Sequence, residues 1–162
     1  MKGDPAIIRT LNKVLTNELT AVNQYFLHAR MFESWGLTHL GDIVYKESIG
    51  EMKHADLLIK RVLFLDGLPN LQDLHKLKVG EDPIECLQAD LVLEMDSRLA
   101  TRDALTECET ARDYVSRDIL LQILSDTENH IDFLENQLSL VKLMGAQNYL
   151  QSAMKEIVGE GH

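Results

Sequence analysis

The sequence contains two halves in which polar residues recur at equal intervals. Glu18 and Glu51 are 33 residues apart, and the same interval separates Glu94 from Thr127. A histidine follows three residues after the second member of each pair. Each of these positions in the second half lies 76 residues after its counterpart in the first half. Equal spacing without insertions predicts two similar structural units in register.

These positions interrupt apolar stripes that have helical spacing. Residues three or four apart lie on one face of an α-helix, so such a stripe marks the side that packs into a core. Glu51, His54 and His130 are therefore expected to point inward. The four stripes are Leu11, Leu15, Glu18, Val22, Tyr25 and Ala29; Val44, Ser48, Glu51, Ala55, Leu58, Val62 and Leu65; Leu87, Leu91 and Glu94; and Ile119, Ile123, Thr127, His130, Leu134 and Leu138.

Helix signals cover almost the whole chain. An Asp-Pro pair precedes the first and the third helix, and Glu85 fits a capping box at the start of the third. Gly36, Gly67 with a proline just beyond it, and Gly145 are typical helix stops. The predicted helices cover residues 6–35, 38–66, 83–111, 113–144 and 147–158.

The connections predict the topology. Short turns at Gly36 and near Arg112 favour two antiparallel hairpins, whereas the segment GLPNLQDLHKLKVGED is long enough to run along a bundle. Helices of about 30 residues are rods about 45 Å long. We expect an all-α fold, a four-helix bundle with a long crossover and a short fifth C-terminal helix, in a single domain spanning residues 1–162.

Composition excludes several function classes. The formal net charge of −10 and the pI near 5.0 argue against nucleic acid as a partner and favour cations. The start MKGDPAIIRTLNK lacks a signal-peptide pattern, and no stretch approaches the roughly 20 apolar residues of a membrane span. We expect no membrane partner and a cytoplasmic location. Cys86 and Cys108 are expected to be reduced thiols rather than a disulfide or metal pair.

Buried carboxylates are costly without a partner, so polar groups from four helices at one level of the core need a common compensating charge. A bound metal supplies it. The alternatives are hydrogen-bonded core histidines or buried salt bridges, although no lysine occurs in the stripes. Thr127 then stands in a ligand position. Glu128 is a poor substitute, because it lies about 100° further around the helix.

Several segments resemble the bacterioferritin family over essentially the whole chain. They are MKGD at the start, NQYFLHARMF around Tyr25, EMKHAD at 51–56, GLPNLQDL in the crossover, DYVSRD at 113–118 and NYLQS in the last helix. The resemblance implies a ferritin-like fold and a hollow shell of twenty-four subunits. It also implies oxidation of Fe(II) by dioxygen or peroxide and storage of Fe(III) mineral inside the shell.

The resemblance also implies the iron ligands. It assigns Glu18, Glu51 and His54 to one iron of a ferroxidase centre, and Glu94 and His130 to the other, with Glu51 bridging. The second bridging glutamate of the family is replaced here by Thr127.

Haem of the b type is implied as a second cofactor. In the family it binds between two-fold-related subunits through a methionine from each, which corresponds to Met52. Without the resemblance, Met52 would be interpreted as a residue that fills space in the core. Tyr25 likewise has two interpretations: it packs in the core, or its hydroxyl bonds a metal-bound carboxylate.

Two more departures accompany Thr127. Family members with an intact centre often have a histidine and an aspartate at an inner-surface iron site, where this chain has Lys46 and Gly50. Three family iron-binding residues are thus replaced between the inner surface and the centre, which predicts a subunit whose own ferroxidase centre is impaired. Some shells of the family mix two subunit types, and this chain resembles the type suited to haem binding. A shell of this subunit alone, with an altered centre, is the alternative.

Three functions remain open from the sequence. The first is an iron-storage ferroxidase in which water or Glu128 completes the ligand set. The second is a structural, haem-binding subunit of a mixed cage that stores iron oxidised elsewhere. A ferritin-like oxidase of an organic substrate is the third, and the whole-chain resemblance and short fifth helix disfavour it. A redox partner for iron release is a further expectation.

Overall fold

The computed structural model describes residues 1–154. Its helices are α1 Pro5–Ser34, α2 Thr38–Phe64, α3 Pro83–Thr110, α4 Tyr114–Met144 and α5 Ala146–Ser152. The predicted all-α fold is confirmed, and the bounds of the four long helices agree with the prediction to within two residues. The prediction for α5 was too long: the helix ends at Ser152, and residues 155–158 lie outside the described part of the chain.

Both predicted Asp-Pro helix starts are present. Asp4 accepts a hydrogen bond from the backbone of Ala6, and Asp82 accepts one from the backbone of Glu85. The capping box is altered, because the carboxylate of Glu85 accepts from the backbone N–H of Glu81 rather than from that of Asp82. The side chains of Asp82 and Glu85 nevertheless both accept hydrogen bonds from the backbone at the start of α3.

Two of the three predicted glycine stops have left-handed backbone angles. Gly36 has φ +83° and Gly145 has φ +80°. α2 ends at Phe64, just before the predicted stop at Gly67, and the left-handed residue there is Asp66 (φ 59°). Gly67 has another role, since an added Cβ would lie 2.8 Å from a methyl carbon of Ile8. Close packing against α1 therefore requires glycine there.

The long crossover between α2 and α3 runs along α1. Its backbone N–H groups donate to polar side chains of α1, which explains why that helix carries buried polar residues on a second face. These hydrogen bonds join Asn70 to Asn12, His75 to Thr20, Lys78 to Gln24 and Gly80 to His28. The predicted pair of hairpins joined by a crossover is observed, with α1 packed on α2 and α3 packed on α4.

The apolar core is divided into two clusters. One contains Ile7, Leu11, Val14, Leu15, Ala55, Leu58, Val62, Leu65, Ala104, Cys108, Leu120 and Ile123. The other contains Ala21, Tyr25, Ala29, Phe32, Leu37, Leu40, Val44, Cys86, Leu87, Leu93, Leu134, Tyr149 and Ala153. Both cysteines are buried and unpaired. Within residues 1–154, no helix has the length and hydropathy of a membrane span.

Candidate metal centre

The predicted polar positions lie at one level of the bundle, between the two apolar clusters. Each of the four long helices contributes at least one of them, as the equal spacing required. All are at least 94% buried: Glu18, Glu51, His54, Glu94, Thr127 and His130. The inward direction predicted from the stripes is therefore correct for every one of them.

One half of the centre is formed by Glu18, Glu51 and His54. Nδ1 of His54 lies 3.2 Å from a carboxylate oxygen of Glu18 and 3.4 Å from one of Glu51. Two ligands of one small divalent cation, each about 2.1 Å from it, are about 3.0–4.2 Å apart. These three side chains are thus spaced to share a cation.

The other half is formed by Glu51, Glu94 and His130. Nδ1 of His130 lies 3.2 Å from Oε1 of Glu94, and the ligand atoms of all three residues are within 4.8 Å of one another. Tyr25 donates a hydrogen bond of 2.5 Å to the same Oε1. Tyr25 is packed in the apolar core, and its hydroxyl also bonds a candidate ligand. Glu51 belongs to both halves, as a bridging ligand does.

Four buried polar atoms of the centre have no hydrogen-bond partner among the described residues. They are Oε1 of Glu18, Oε2 of Glu94, Oγ1 of Thr127 and Nδ1 of His130. An unpaired buried polar group costs about 1–3 kcal/mol. Oxygen and imidazole nitrogen atoms that face one another without partners fit a divalent cation, which satisfies them together.

Among residues 1–154, this lack of partners is confined to the centre. Asp90, one helical turn before Glu94, is equally buried, yet its carboxylate bonds Gln24 and His28 at 2.9 and 2.7 Å. No lysine or arginine in the described part of the chain lies within 4.0 Å of Glu18, Glu51 or Glu94. The predicted alternative of a buried salt bridge is therefore present only as histidine–carboxylate pairs, with His54 3.2 Å from Glu18 and His130 3.2 Å from Glu94. The carboxylates of the centre instead face histidines.

Burial and pairing shift the pKa values of these groups. Burial raises the pKa of Glu18 to about 7, although His54 opposes the change. Burial would lower the pKa of His54, but hydrogen bonds and charges from Glu18 and Asp126 raise it to about 9. Metal ligands must be deprotonated, so a cation displaces protons from this pair at neutral pH.

Thr127 occupies the ligand position expected from the 33-residue spacing. Its side chain is 1% exposed and its hydroxyl is unpaired. The neighbouring Glu128 points elsewhere and accepts a hydrogen bond of 2.7 Å from Arg98 on α3. The sequence-based expectation that Glu128 is no easy substitute agrees with this ion pair, which would have to break before Glu128 turned inward.

Sequence reasoning missed two carboxylates beside the centre. Asp126 lies 2.7 Å from Nε2 of His54, and Glu47 lies 3.6 Å from Nδ1 of His130. A signal for Glu47 was available, since it precedes Glu51 by four residues and His54 by seven and so shares their helix face. No comparable signal existed for Asp126, which reaches His54 only because α4 packs against α2.

A pocket of about 310 Å³ opens onto the centre between α2 and α4. Lys46 and Gly50, the two departures from the inner-surface iron site, line it together with Asn129 and the residues above. An added Cβ at Gly50 would meet nothing within 4 Å. Packing therefore does not require glycine at that position.

Met52 lies on α2 between Glu51 and His54 in sequence but on another face of the helix. It is 51% exposed. A residue one position after an inward residue is rotated about 100° around the helix. The thioether is therefore accessible from outside the bundle, as a ligand shared with a second subunit has to be.

Comparisons with known proteins agree with this architecture. The ferritin-like domain family matches residues 8–144. The bacterioferritin of Brucella melitensis is 46% identical over 151 residues, which are 93% of this chain and 94% of that protein. The bacterial ferritin of Synechocystis is 46% identical over 155 residues, 95% and 99% of the two chains, and the bacterioferritin of Mycolicibacterium paratuberculosis is 43% identical over 149 residues, 92% and 94%. The chain therefore belongs to the bacterioferritin family of ferritin-like proteins.

Proposed function

We propose that this chain is an iron-storage shell subunit whose ferroxidase-type centre holds one Fe(II) firmly and a second one weakly. Iron storage is the function that family membership implies. The finer claim rests on one observation, the buried and unpaired hydroxyl of Thr127 in the place of a bridging carboxylate. The iron ligands proposed are Glu18, Glu51, His54, Glu94 and His130.

The charge of the site explains why the second iron should bind more weakly than the first. Four carboxylates would neutralise two Fe(II) ions, whereas Glu18, Glu51 and Glu94 leave one positive charge in a core where uncompensated charge is costly. Oxidation to Fe(III) increases that excess. The hydroxyl of Thr127 is neutral and cannot bridge two metals as a carboxylate does. The half of the centre with Glu94 and His130 loses the bridge and is expected to bind more weakly.

Haem is the second part of the proposal. Met52 offers an exposed thioether, and methionine sulfur is an established axial ligand of haem iron. We propose that Met52 and its counterpart in a two-fold-related subunit hold the iron of a b-type haem. When bound, haem would supply a one-electron redox centre on the shell, and Met52 would orient it without contact with the iron-binding carboxylates.

The assembly proposed is a shell of twenty-four subunits in the cytoplasm, made of this chain alone or with a second bacterioferritin subunit type. A redox partner that reduces stored iron belongs to the same proposal. The alternative function is a structural, haem-binding subunit with no ferroxidase activity of its own. The unpaired Thr127 hydroxyl favours this alternative, whereas the intact group of Glu18, Glu51 and His54 favours retained iron binding.

Oxidation kinetics of three shells test the proposal. Shells of this chain alone should oxidise Fe(II) slowly in air, and Thr127→Glu should accelerate the reaction at least about tenfold, since changes near a metal site typically alter affinity or activity by about 10–100-fold. Glu128→Gln is the matched control one residue away, and we expect it to leave the rate unchanged. Equal rates for the parent chain and Thr127→Glu would refute the proposal.

A further inference from the structure

Glu47 lies on the face of α2 that carries the candidate ligands. It precedes Glu51 by four residues and His54 by seven, so the three side chains follow one another along one helix face. The Glu47 side chain is 35% exposed, and its Oε2 lies 3.6 Å from Nδ1 of His130 across the bundle. Glu47 therefore reaches the half of the centre formed with His130, where position 127 is a threonine and not a carboxylate.

His130 supplies the independent sign of a ligand. It is 95% buried, and its Nδ1 lies 3.2 Å from Oε1 of Glu94 and 3.6 Å from Oε2 of Glu47 without an aligned hydrogen bond to either. Oε2 of Glu94 is also unpaired. A simple ion pair would align the imidazole N–H with an oxygen. Two carboxylate oxygens, one of Glu94 and one of Glu47, instead lie near an unpaired nitrogen, as ligands of one cation do.

The two contacts of His130 suit a shared cation, because ligand atoms about 2.1 Å from one small divalent ion are about 3.0–4.2 Å apart. Glu47, Glu94 and His130 do not have all their ligand atoms within 4.8 Å of one another, so the partly exposed side chain of Glu47 has to turn inward when the cation binds. The side chains of Glu47 and His130 both line the pocket of about 310 Å³ that opens between α2 and α4. A cation could thus reach this position from solvent without an opening of the helix bundle.

We propose that Glu47 replaces position 127 as a carboxylate ligand, and that it binds a second divalent cation together with Glu94 and His130 at the mouth of the pocket. This inference rests on the proposed function and specifies its weak site. Glu47 offsets only part of the charge missing at position 127, because its side chain is 35% exposed and its charge is screened by water. Among the described residues, the histidine within 4.0 Å of Glu47 is His130 and not His54, so Glu47 is assigned to the second cation.

Anaerobic titration with Co(II), a divalent probe that is not oxidised here, tests the assignment in the assembled full-length protein. The parent chain should bind two Co(II) per subunit at the centre, the second at least about tenfold more weakly. Glu47→Gln keeps the size of the side chain and removes its charge. We expect it to weaken the second step at least about tenfold and to leave the first unchanged, whereas the control Glu128→Gln should change neither.

The Thr127→Glu background separates this inference from the proposed function. There the new carboxylate should tighten the second step, and Glu47→Gln should then have less than about a threefold effect, because the two residues would serve the same cation. An unchanged second step in Glu47→Gln, or an equal loss in both backgrounds, would overturn the role of Glu47. The role of Glu47 would also be overturned if the parent chain bound one Co(II) per subunit while Thr127→Glu bound two. A Thr127→Glu variant that fails to tighten the second step would instead refute the proposed function.

The position of the second ion provides a direct readout. Crystals soaked with Co(II) should show an anomalous peak beside Nδ1 of His130 and Oε2 of Glu47, and this peak should be lost in Glu47→Gln while the peak at Glu18 and His54 persists. A second peak that remains in Glu47→Gln would contradict the inference.

Discussion

His54 contacts carboxylates through both of its ring nitrogens. Nδ1 faces Glu18 and Glu51, and Nε2 lies 2.7 Å from Asp126 on α4. A neutral imidazole carries one N–H and one lone pair. If Nε2 donates its hydrogen to Asp126, the lone pair of Nδ1 points at the cation position. In that arrangement Asp126 would act as a positioning residue that selects the ligating tautomer, the usual role of a carboxylate behind a metal-bound histidine.

Replacement of Asp126 should weaken the first cation step. Asp126→Ala removes the partner of Nε2, and we expect a loss of about 10–100-fold in Co(II) affinity, while Asp126→Asn keeps an acceptor and should lose less. A cation must displace the proton of His54, whose pKa is raised to about 9, so affinity should increase from pH 6 to pH 9. Asp126 helps to raise the pKa of His54, so in Asp126→Ala the rise in Co(II) affinity should occur at lower pH. Titrations at several pH values measure both effects, and an unchanged pH profile in Asp126→Ala would contradict the role.

The proposed haem binding depends on one residue, Met52. Met52→Leu keeps nearly the same side-chain size and removes the sulfur, so purified shells should lose most of their haem and its absorption bands. Met95 is the matched control, because it is 45% exposed on another helix. If Met95→Leu and Met52→Leu contained equal amounts of haem, the assignment of Met52 would be wrong.

Among the elements, the turn between α3 and α4 holds the second hairpin to α2. Asp113 caps α4 through Ser116 and accepts a hydrogen bond of 2.8 Å from Arg61 on α2. Burial alone would raise the pKa of Asp113, but the hydrogen bonds from Ser116 and the charge of Arg61 outweigh it and lower the pKa. The ionised carboxylate therefore stabilises the folded bundle.

Removal of this carboxylate should destabilise the bundle in a pH-dependent way. Asp113→Ala is expected to cost about 1–2 kcal/mol at pH 7, because it removes a helix cap and leaves Arg61 without its partner. A lowered folded-state pKa gives stability that is present above the unfolded value of about 3.9 and lost as the pH falls through the folded value. The gap in thermal midpoint between the metal-free parent and the variant should therefore narrow below about pH 4.

Two further substitutions distinguish the contribution of the Asp113 helix cap from that of its negative charge. Asp113→Asn retains an N-cap side chain and should lie between the parent and Asp113→Ala, whereas Asp118→Asn changes a carboxylate that is 76% exposed and should have little effect. A midpoint gap that stays constant down to pH 3 would show that the charge of Asp113 does not stabilise the bundle.

The helices were predictable from the sequence because their signals are local. Periodic apolar stripes, Asp-Pro starts and glycine stops gave the bounds of four helices, and equal spacing placed Glu18, Glu51 and Glu94 at one level. Asp126 was not predictable, since its contact with His54 depends on how α4 packs on α2. The local roles after α2 were not predictable for a similar reason: Gly67 is required by contact with Ile8, while Asp66 adopts the left-handed turn conformation.

At the scale of the whole molecule, the isolated chain exposes many large apolar side chains. Leu68 and Leu143 are more than 80% exposed, and Val115, Leu99 and Leu63 are more than half exposed. In a member of the bacterioferritin family, such side chains are available for packing against other subunits of a shell. The net charge of −10 gives the assembled particle a field that attracts cations such as Fe(II).

The native particle should therefore be far larger than one 18.4 kDa chain. Light scattering coupled to size-exclusion chromatography should detect an assembly close to the mass of twenty-four subunits. Co-expression with a second bacterioferritin subunit would distinguish a mixed shell from a uniform one by the mass of its components. A stable monomer under native conditions would contradict the shell.

The central claim is that Thr127 leaves one half of the iron centre weak. Crystals of shells made only of this chain, soaked anaerobically with Fe(II), test it through anomalous scattering at the iron edge. The account predicts a strong peak at Glu18, Glu51 and His54, a weaker peak beside His130, and Glu128 still paired with Arg98. Two fully occupied irons with Glu128 turned inward as a ligand would contradict it.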